Sequence, residues 1–212
     1  MLENIHWLGH DSFRLDGTVT IYIDPWKLPA GLPVAGLILV THEHFDHLSV
    51  ADITALAGPD TVVVGPASVT SQLADRETVT VAPGDSVEVR GVGIEAVPAY
   101  NLDKFRAPGQ PYHPREAGHV GYVVALDGVR YYHAGDTDAV PEMAEVRCDV
   151  ALLPVGGTFT MTWDEAAAAC DLLHATAAVP MHYGEVVGDA GDAERFRDLC
   201  SVPVTILPLE RG

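Results

Sequence analysis

Thr41-His42-Glu43-His44-Phe45-Asp46-His47 packs three histidines and an aspartate into six residues, directly after the apolar run 36–40. In an extended or tightly turning segment alternate residues point the same way, so His42 and His44 can grip one cation together. Asp46 and His47, a turn further on, can face a second. Neutral imidazoles and carboxylates suit Zn²⁺, Mn²⁺ or Fe²⁺ better than Ca²⁺ or Mg²⁺. The end of a buried strand is also where α/β proteins place their sites.

Outward from this cluster, the N-terminal part reads as strands over 5–8, 12–15 and 19–23, with Asp16-Gly17 as a turn signal. A helix over 50–57 stops at Gly58-Pro59. A strand at 61–64, a helix at 67–74 and short strands at 79–81, 86–89 and 93–97 follow. Residues 100–118 hold three prolines and two glycines and read as a long loop, of the kind that forms lids or binding loops. The second half offers a hairpin across Asp127-Gly128, a short helix at 140–145 and a strand at 150–153. Thr162-Trp163-Asp164-Glu165 then has capping-box spacing and opens an alanine-rich helix. A strand at 177–180, a helix at 193–199 and a last strand at 204–207 complete the chain. This pattern is mixed α/β, and its length of 212 residues suits one domain of two similar halves.

The chain carries 12 Lys and Arg against 30 Asp and Glu, a formal net charge of −18. Such a surface repels phosphate backbones, which argues against general nucleic-acid or anionic-membrane binding. An anionic small-molecule substrate stays open, because bound metal can invert the local charge. Cys148, Cys170 and Cys200 form no CxxC pair and read as reduced, small hydrophobes. There is no signal-peptide pattern and no apolar stretch long enough to span a bilayer, so a cytoplasmic location is expected. A homo-oligomer stays open.

The HxHxDH pattern of His42, His44, Asp46 and His47 resembles the signature of the metallo-β-lactamase superfamily. Three further stretches are similar to later motifs of its UlaG-like branch of small metal-dependent hydrolases, in the same order: Tyr132-His133-Ala134-Gly135-Asp136-Thr137, Leu152-Leu153-Pro154-Val155-Gly156-Gly157 and Pro180-Met181-His182-Tyr183. Ile5-His6-Trp7-Leu8-Gly9-His10 resembles that branch's opening strand. The resemblance implies a four-layer αββα sandwich spanning residues 1–212. It also implies a metal-dependent hydrolase in which a metal-bound hydroxide cleaves an ester-type bond, phosphodiester or lactone, in a small substrate. By the same resemblance His42 and His44 bind one ion, Asp46, His47 and His182 a second, and Asp136 bridges. Asp46 also orients the nucleophile. Zn²⁺ is the expected metal, as one or two ions, with Mn²⁺ or Fe²⁺ as alternatives.

One departure matters. Asn101 stands where the family places a further histidine. Asn101 itself, His113 from the long loop, or water could complete the first site, and a single ion in the second site is the alternative. Tyr100, Asn101, Lys104 and His113 are therefore candidates for substrate contact or a variable ligand. His10 is a candidate for orienting a ligand, and His133, Lys104 or His113 for protonating the leaving group. Trp26 and Trp163 are expected to pack, and His119 and His174 to be structural. Two competing functions are a metallo-nuclease acting on RNA or DNA and a non-catalytic metal-binding module.

Overall fold

The computed structural model describes residues 1–210. Six strands make the first sheet: β1 (Ile5–Gly9), β2 (Ser12–Leu15), β3 (Ile21–Ile23), β4 (Ala35–Leu39), β5 (Ala57–Gly65) and β6 (Thr78–Thr80), in that spatial order. The first three run antiparallel, and β3 to β6 run parallel. The helices α1 (Val50–Leu56) and α2 (Ala67–Thr70) supply its crossovers.

The second sheet is built from β7 (Ser86–Val89), β8 (Val92–Pro98), β11 (Val120–Leu126), β12 (Val129–His133), β13 (Val150–Pro154) and β14 (Ala177–Met181). Between β8 and β11 the long loop folds a small hairpin of its own, β9 (Phe105–Ala107) and β10 (Gln110–Pro111). The helices α3 (Trp163–Leu172) and α4 (Ala190–Leu199) belong to this half.

Burial explains the layering. One apolar cluster joins Phe13, Leu15 and Leu37 of the first sheet to Tyr122, Val124 and Leu152 of the second, and continues into Ala166 and Phe196 of α3 and α4. A second cluster packs Ile38 and Val63 of the first sheet against Ile53, Leu56 and Val69 of α1 and α2. The result is helices, sheet, sheet, helices: the αββα sandwich. Strands β13 and β14 are buried at every position, as parallel strands covered on both faces must be. Each large side chain buried here contributes about 1.5–3 kcal/mol over its exposed state.

α3 begins as its sequence dictates. The Thr162 N–H donates to the Glu165 carboxylate at 2.8 Å, closing the capping box. The buried face of α3 is Ala166, Ala167, Ala169 and Cys170, small enough for close approach to the sheet. Three expectations change. The helix read over 67–74 is confined to Ala67–Thr70. Residues 141–145 form a 3₁₀ rather than an α-helix. Residues 204–207 make only an isolated bridge, Ala178 to Val204, because Pro203 and Pro208 flank the segment and proline cannot donate to a ladder. The three cysteines are free. Among the described residues no helix is long and apolar enough to cross a membrane.

Candidate metal centre

The strand ends of both sheets converge on one edge of the sandwich. The 41–47 segment follows β4, His10 and Asp11 follow β1, and Asp24 follows β3. From the second sheet come Asn101 after β8, Asp136 after β12 and His182 after β14. Three of these residues hold left-handed backbone: His10 (φ 49°), Asp24 (φ 47°) and His182 (φ 56°). Such positions cost about 1–3 kcal/mol each and cluster at functional sites.

His42, His44 and His113 bring ring nitrogens together. His44 Nδ1 lies 2.9 Å from His42 Nε2 and 3.2 Å from His113 Nε2. In a tetrahedral site with bonds of about 2.0–2.1 Å, ligand nitrogens stand about 3.3 Å apart, so the spacing fits a Zn²⁺-sized ion.

The far nitrogens of two of these rings are already occupied. His42 Nδ1 is 3.0 Å from the Thr41 hydroxyl, whose own proton goes to Asp24. His113 Nδ1 is 3.0 Å from Asn101 Oδ1. Asn101 Nδ2 donates to Asp138 at 3.2 Å and to the Phe159 carbonyl at 2.8 Å, which fixes the amide with its oxygen toward His113. Both rings therefore carry their proton on Nδ1 and present a bare Nε2.

The second cluster holds His10, Asp11, His47 and His182, all fully buried. Asp136 Oδ1 lies 3.3 Å from His47 Nε2, and its Oδ2 lies 3.3 Å from His182 Nε2 and 3.2 Å from His113 Nε2. One carboxylate thus touches both clusters. Asp46 completes the group, 3.4 Å from His10 and 4.0 Å from His47. His47 Nε2, Asp136 Oδ1, and both side-chain polar atoms of His10, Asp11 and His182 are buried without a hydrogen-bond partner. Orphaned buried donors and acceptors cost ~1–3 kcal/mol each, and an ion between them would relieve that.

The titration behaviour differs across the centre. Burial pushes His42 well below the ordinary histidine range, and the nearby His47 adds to this. Burial also disfavours charge on His47, but Asp136, Asp24 and Asp11 outweigh it and hold His47 well above that range. For His182, burial is overcome by Asp136 and Asp11, which lift it to about 9. Burial would raise Asp136, yet His182 and His47 hold it well below the ordinary carboxylate range. Asp46 is also depressed: burial opposes charge there, and His10 and His47 outweigh it.

The other residues singled out in the sequence sit as follows. His133 is fully buried, donates from Nε2 to the Asp11 carbonyl at 2.9 Å and accepts the Gly135 N–H at Nδ1. Both nitrogens are engaged with the backbone. Lys104 Nζ reaches both Glu165 oxygens at 2.9 Å, and the Tyr100 hydroxyl donates to Glu142. Both are tied to carboxylates, and Lys104 Nζ also lies 3.8 Å from Asp138. His119 does approach the centre: its ring is 4.8 Å from His42, and its Nε2 is 3.3 Å from Glu43.

Two functional positions escape the linear reading. Asp24 accepts the Thr41 N–H at 2.7 Å and contacts His47 Nδ1 at 2.8 Å, so it aims His47 Nε2 at the centre. Asp11 faces His10, His47 and His182 at 3.4–3.8 Å. Their only signals are an acid at the end of an apolar strand before Pro25, and an acid beside His10.

Glycines let the strands meet. A Cβ at Gly156 would stand 2.2 Å from the His182 carbonyl oxygen. Gly135 has φ +64°, and a Cβ there would lie 2.9 Å from the Val120 carbonyl and 3.2 Å from Thr41.

This fold, with paired histidine–aspartate clusters at its strand ends, defines the β-lactamase superfamily, and residues 4–182 match the beta-lactamase superfamily domain. A UPF0173 metal-dependent hydrolase of Thermococcus kodakarensis is 36% identical over 100% of this chain and 98% of its own length. A crystal structure of a metal-dependent hydrolase from Parabacteroides distasonis superposes with a TM-score of 0.85 at 33% identity, covering 97% of this chain and 93% of that one. A metallo hydrolase from Ignicoccus hospitalis shares the fold, with a TM-score of 0.77 at 24% identity over 96% and 94% of the two chains. The chain belongs to the UPF0173 family of metal-dependent hydrolases.

Proposed function

We propose that this hydrolase holds two divalent cations, one among His42, His44 and His113 and one among Asp46, His47 and His182, with Asp136 shared between them. His10 and Asp11 share that second cluster with His47 and His182 as further donors. Zn²⁺ suits this nitrogen-rich set, and Mn²⁺ or Fe²⁺ suits it next. The observation that carries the reading is the set of unpartnered buried atoms on His10, Asp11, His47 and His182 beside the converging nitrogens of His42, His44 and His113, with Asp136 reaching both sets. Two such cations, when bound, supply a water acidic enough to attack at neutral pH, its pKa brought from ~15.7 toward ~7, and polarise the substrate's oxygen.

The reaction proposed is hydrolysis of an ester-type bond in a small substrate. Asp46 lines the cavity beside the clusters and stays ionised, so it orients the attacking water and takes its proton. His133 and Lys104 are engaged elsewhere, and His113 has its Nδ1 proton on Asn101. The leaving oxygen therefore receives its proton back from Asp46. Phe45, Tyr112 and Phe159 wall the cavity and exclude water around the bond that breaks. With a net charge of −18, a cytoplasmic small-molecule role is the setting proposed.

Metal content and turnover test this together. Asp136→Ala and His47→Ala should each lower bound metal and abolish hydrolysis across a panel of lactones, aryl esters and phosphodiesters. A purified protein without transition metal, together with an Asp136→Ala variant binding as much added Zn²⁺ or Mn²⁺ as the parent, would refute it.

A further inference from the structure

We infer that the substrate of this centre is an uncharged carbonyl ester or lactone carrying one aryl or short alkyl group, an inference that rests on the hydrolase reading above. Charge is the first argument. Asp11, Asp24, Asp46 and Asp136 are buried within the centre. Two divalent cations bring +4 against these four formal negative charges, which leaves no surplus to attract an anion. Among the described residues no lysine or arginine lines the cavity. The nearby Lys27 and Lys104 are paired with Glu185 and Glu165, and the whole chain carries −18. A phosphodiester would bring a further negative charge into this setting with nothing to balance it.

Shape is the second argument. The cavity beside the clusters is a cleft open on one side, with a volume of about 230 Å³. A cavity of roughly 150 Å³ holds one benzene ring, so this one has room for a ring or a short alkyl group plus the reacting carbonyl. Opposite the donor residues its walls are apolar: Phe45, Tyr112, Phe159 and Val186. Tyr112 and Phe159 meet edge to face at 4.8 Å, and Phe45 meets Trp26 in the same manner at 5.8 Å. Phe45 is 68% exposed and Val186 37% exposed at the mouth, an apolar rim facing water that an apolar ligand would cover. In the reaction the water oxygen bonds to the carbonyl carbon, the bond from that carbon to the leaving oxygen breaks, and the products are a carboxylic acid and an alcohol.

The test compares 4-nitrophenyl esters with a common leaving group on the metal-loaded protein. Phenylacetate and butyrate should exceed the anionic hemisuccinate at least tenfold in kcat/KM. Phe159→Ala should lower the phenylacetate-to-acetate ratio about tenfold. Independently of turnover, calorimetry should detect saturable binding of phenylacetamide, weakened at least fivefold by Phe159→Ala. Equal or better turnover of hemisuccinate, or turnover of bis(4-nitrophenyl) phosphate with none of the esters, overturns the inference. If neither esters nor phosphodiester react, the ester-hydrolase reading fails. Calorimetry then decides alone: binding lost in Phe159→Ala keeps the uncharged apolar ligand, and absence of binding removes it.

Discussion

Asn101 Oδ1 accepts two hydrogen bonds from His113, one from its backbone N–H at 2.8 Å and one from its ring Nδ1–H at 3.0 Å. An asparagine where a ligand histidine was expected is thus the orienter of a histidine twelve residues on. The same amide is held by Asp138, which also accepts the backbone N–H groups of Leu102 and Asp103 and staples the start of the long loop to the centre.

Removing that orienter should loosen one ion and spare the other. Groups that aim a ligand typically contribute 10–100-fold in metal affinity. Asn101→Ala is expected to weaken metal at His42, His44 and His113 by about that factor, so that dialysis leaves about half the parent's metal content. Elemental analysis reads this directly, and an unchanged content would contradict the role.

Asp24 should matter twice. Asp24→Ala leaves the Thr41 N–H and His47 Nδ1 without their buried acceptor. A loss of about 2–6 kcal/mol is expected from two orphaned groups at ~1–3 kcal/mol each, with reduced metal affinity at His47. Denaturant unfolding of the metal-free variant separates the first effect from the second.

Metal loading should release protons. His47 sits well above the ordinary histidine range and His182 is lifted to about 9, so both are protonated in the metal-free protein at neutral pH. An incoming cation must displace those protons. Calorimetry at pH 7.5 in two buffers of different ionisation enthalpy should report about two protons released, declining as the pH passes about 9. The sign for stability follows. Because the folded pKa of His182 is raised, its contribution to the metal-free fold is full below the ordinary 6.5 and fades as pH rises through about 9. Lowered His42 and His44 need no such displacement, so the His47 and His182 position should empty first on acidification. Buffer-independent heats would contradict this.

Tyr122 ties the two sheets just behind the centre, its hydroxyl donating to the Val40 carbonyl at 2.8 Å. Tyr122→Phe should cost about 1–2 kcal/mol, a fall in Tm of roughly 2–8 °C for a chain of this size. Metal content should be unchanged, which distinguishes a brace from a ligand.

The local features of the molecule were legible along the chain. His42, His44, Asp46 and His47 announce a centre because their spacing alone places donors on one turn, whatever the rest of the protein does. The buried parallel strands β4, β13 and β14 show as apolar runs, and the α3 capping box shows as Thr162 followed by Glu165, since these depend on neighbours a few residues away. What the sequence could not settle was everything made by distant strand ends meeting. His113 reaches His44, Asp24 reaches His47, and Asp11 faces His182 only because two sheets pack face to face and their loops share one edge. His133 looked free beside Asp136, yet packing engages both its nitrogens. Asn101 carries no mark of its role, because a hydrogen bond to His113 exists only once Asp138 and the Phe159 carbonyl have fixed which way its amide points. Hydrophobic periodicity and ligand spacing are short-range properties and are written in order. The orientation of a ring nitrogen depends on a long-range partner, and only the folded chain supplies it.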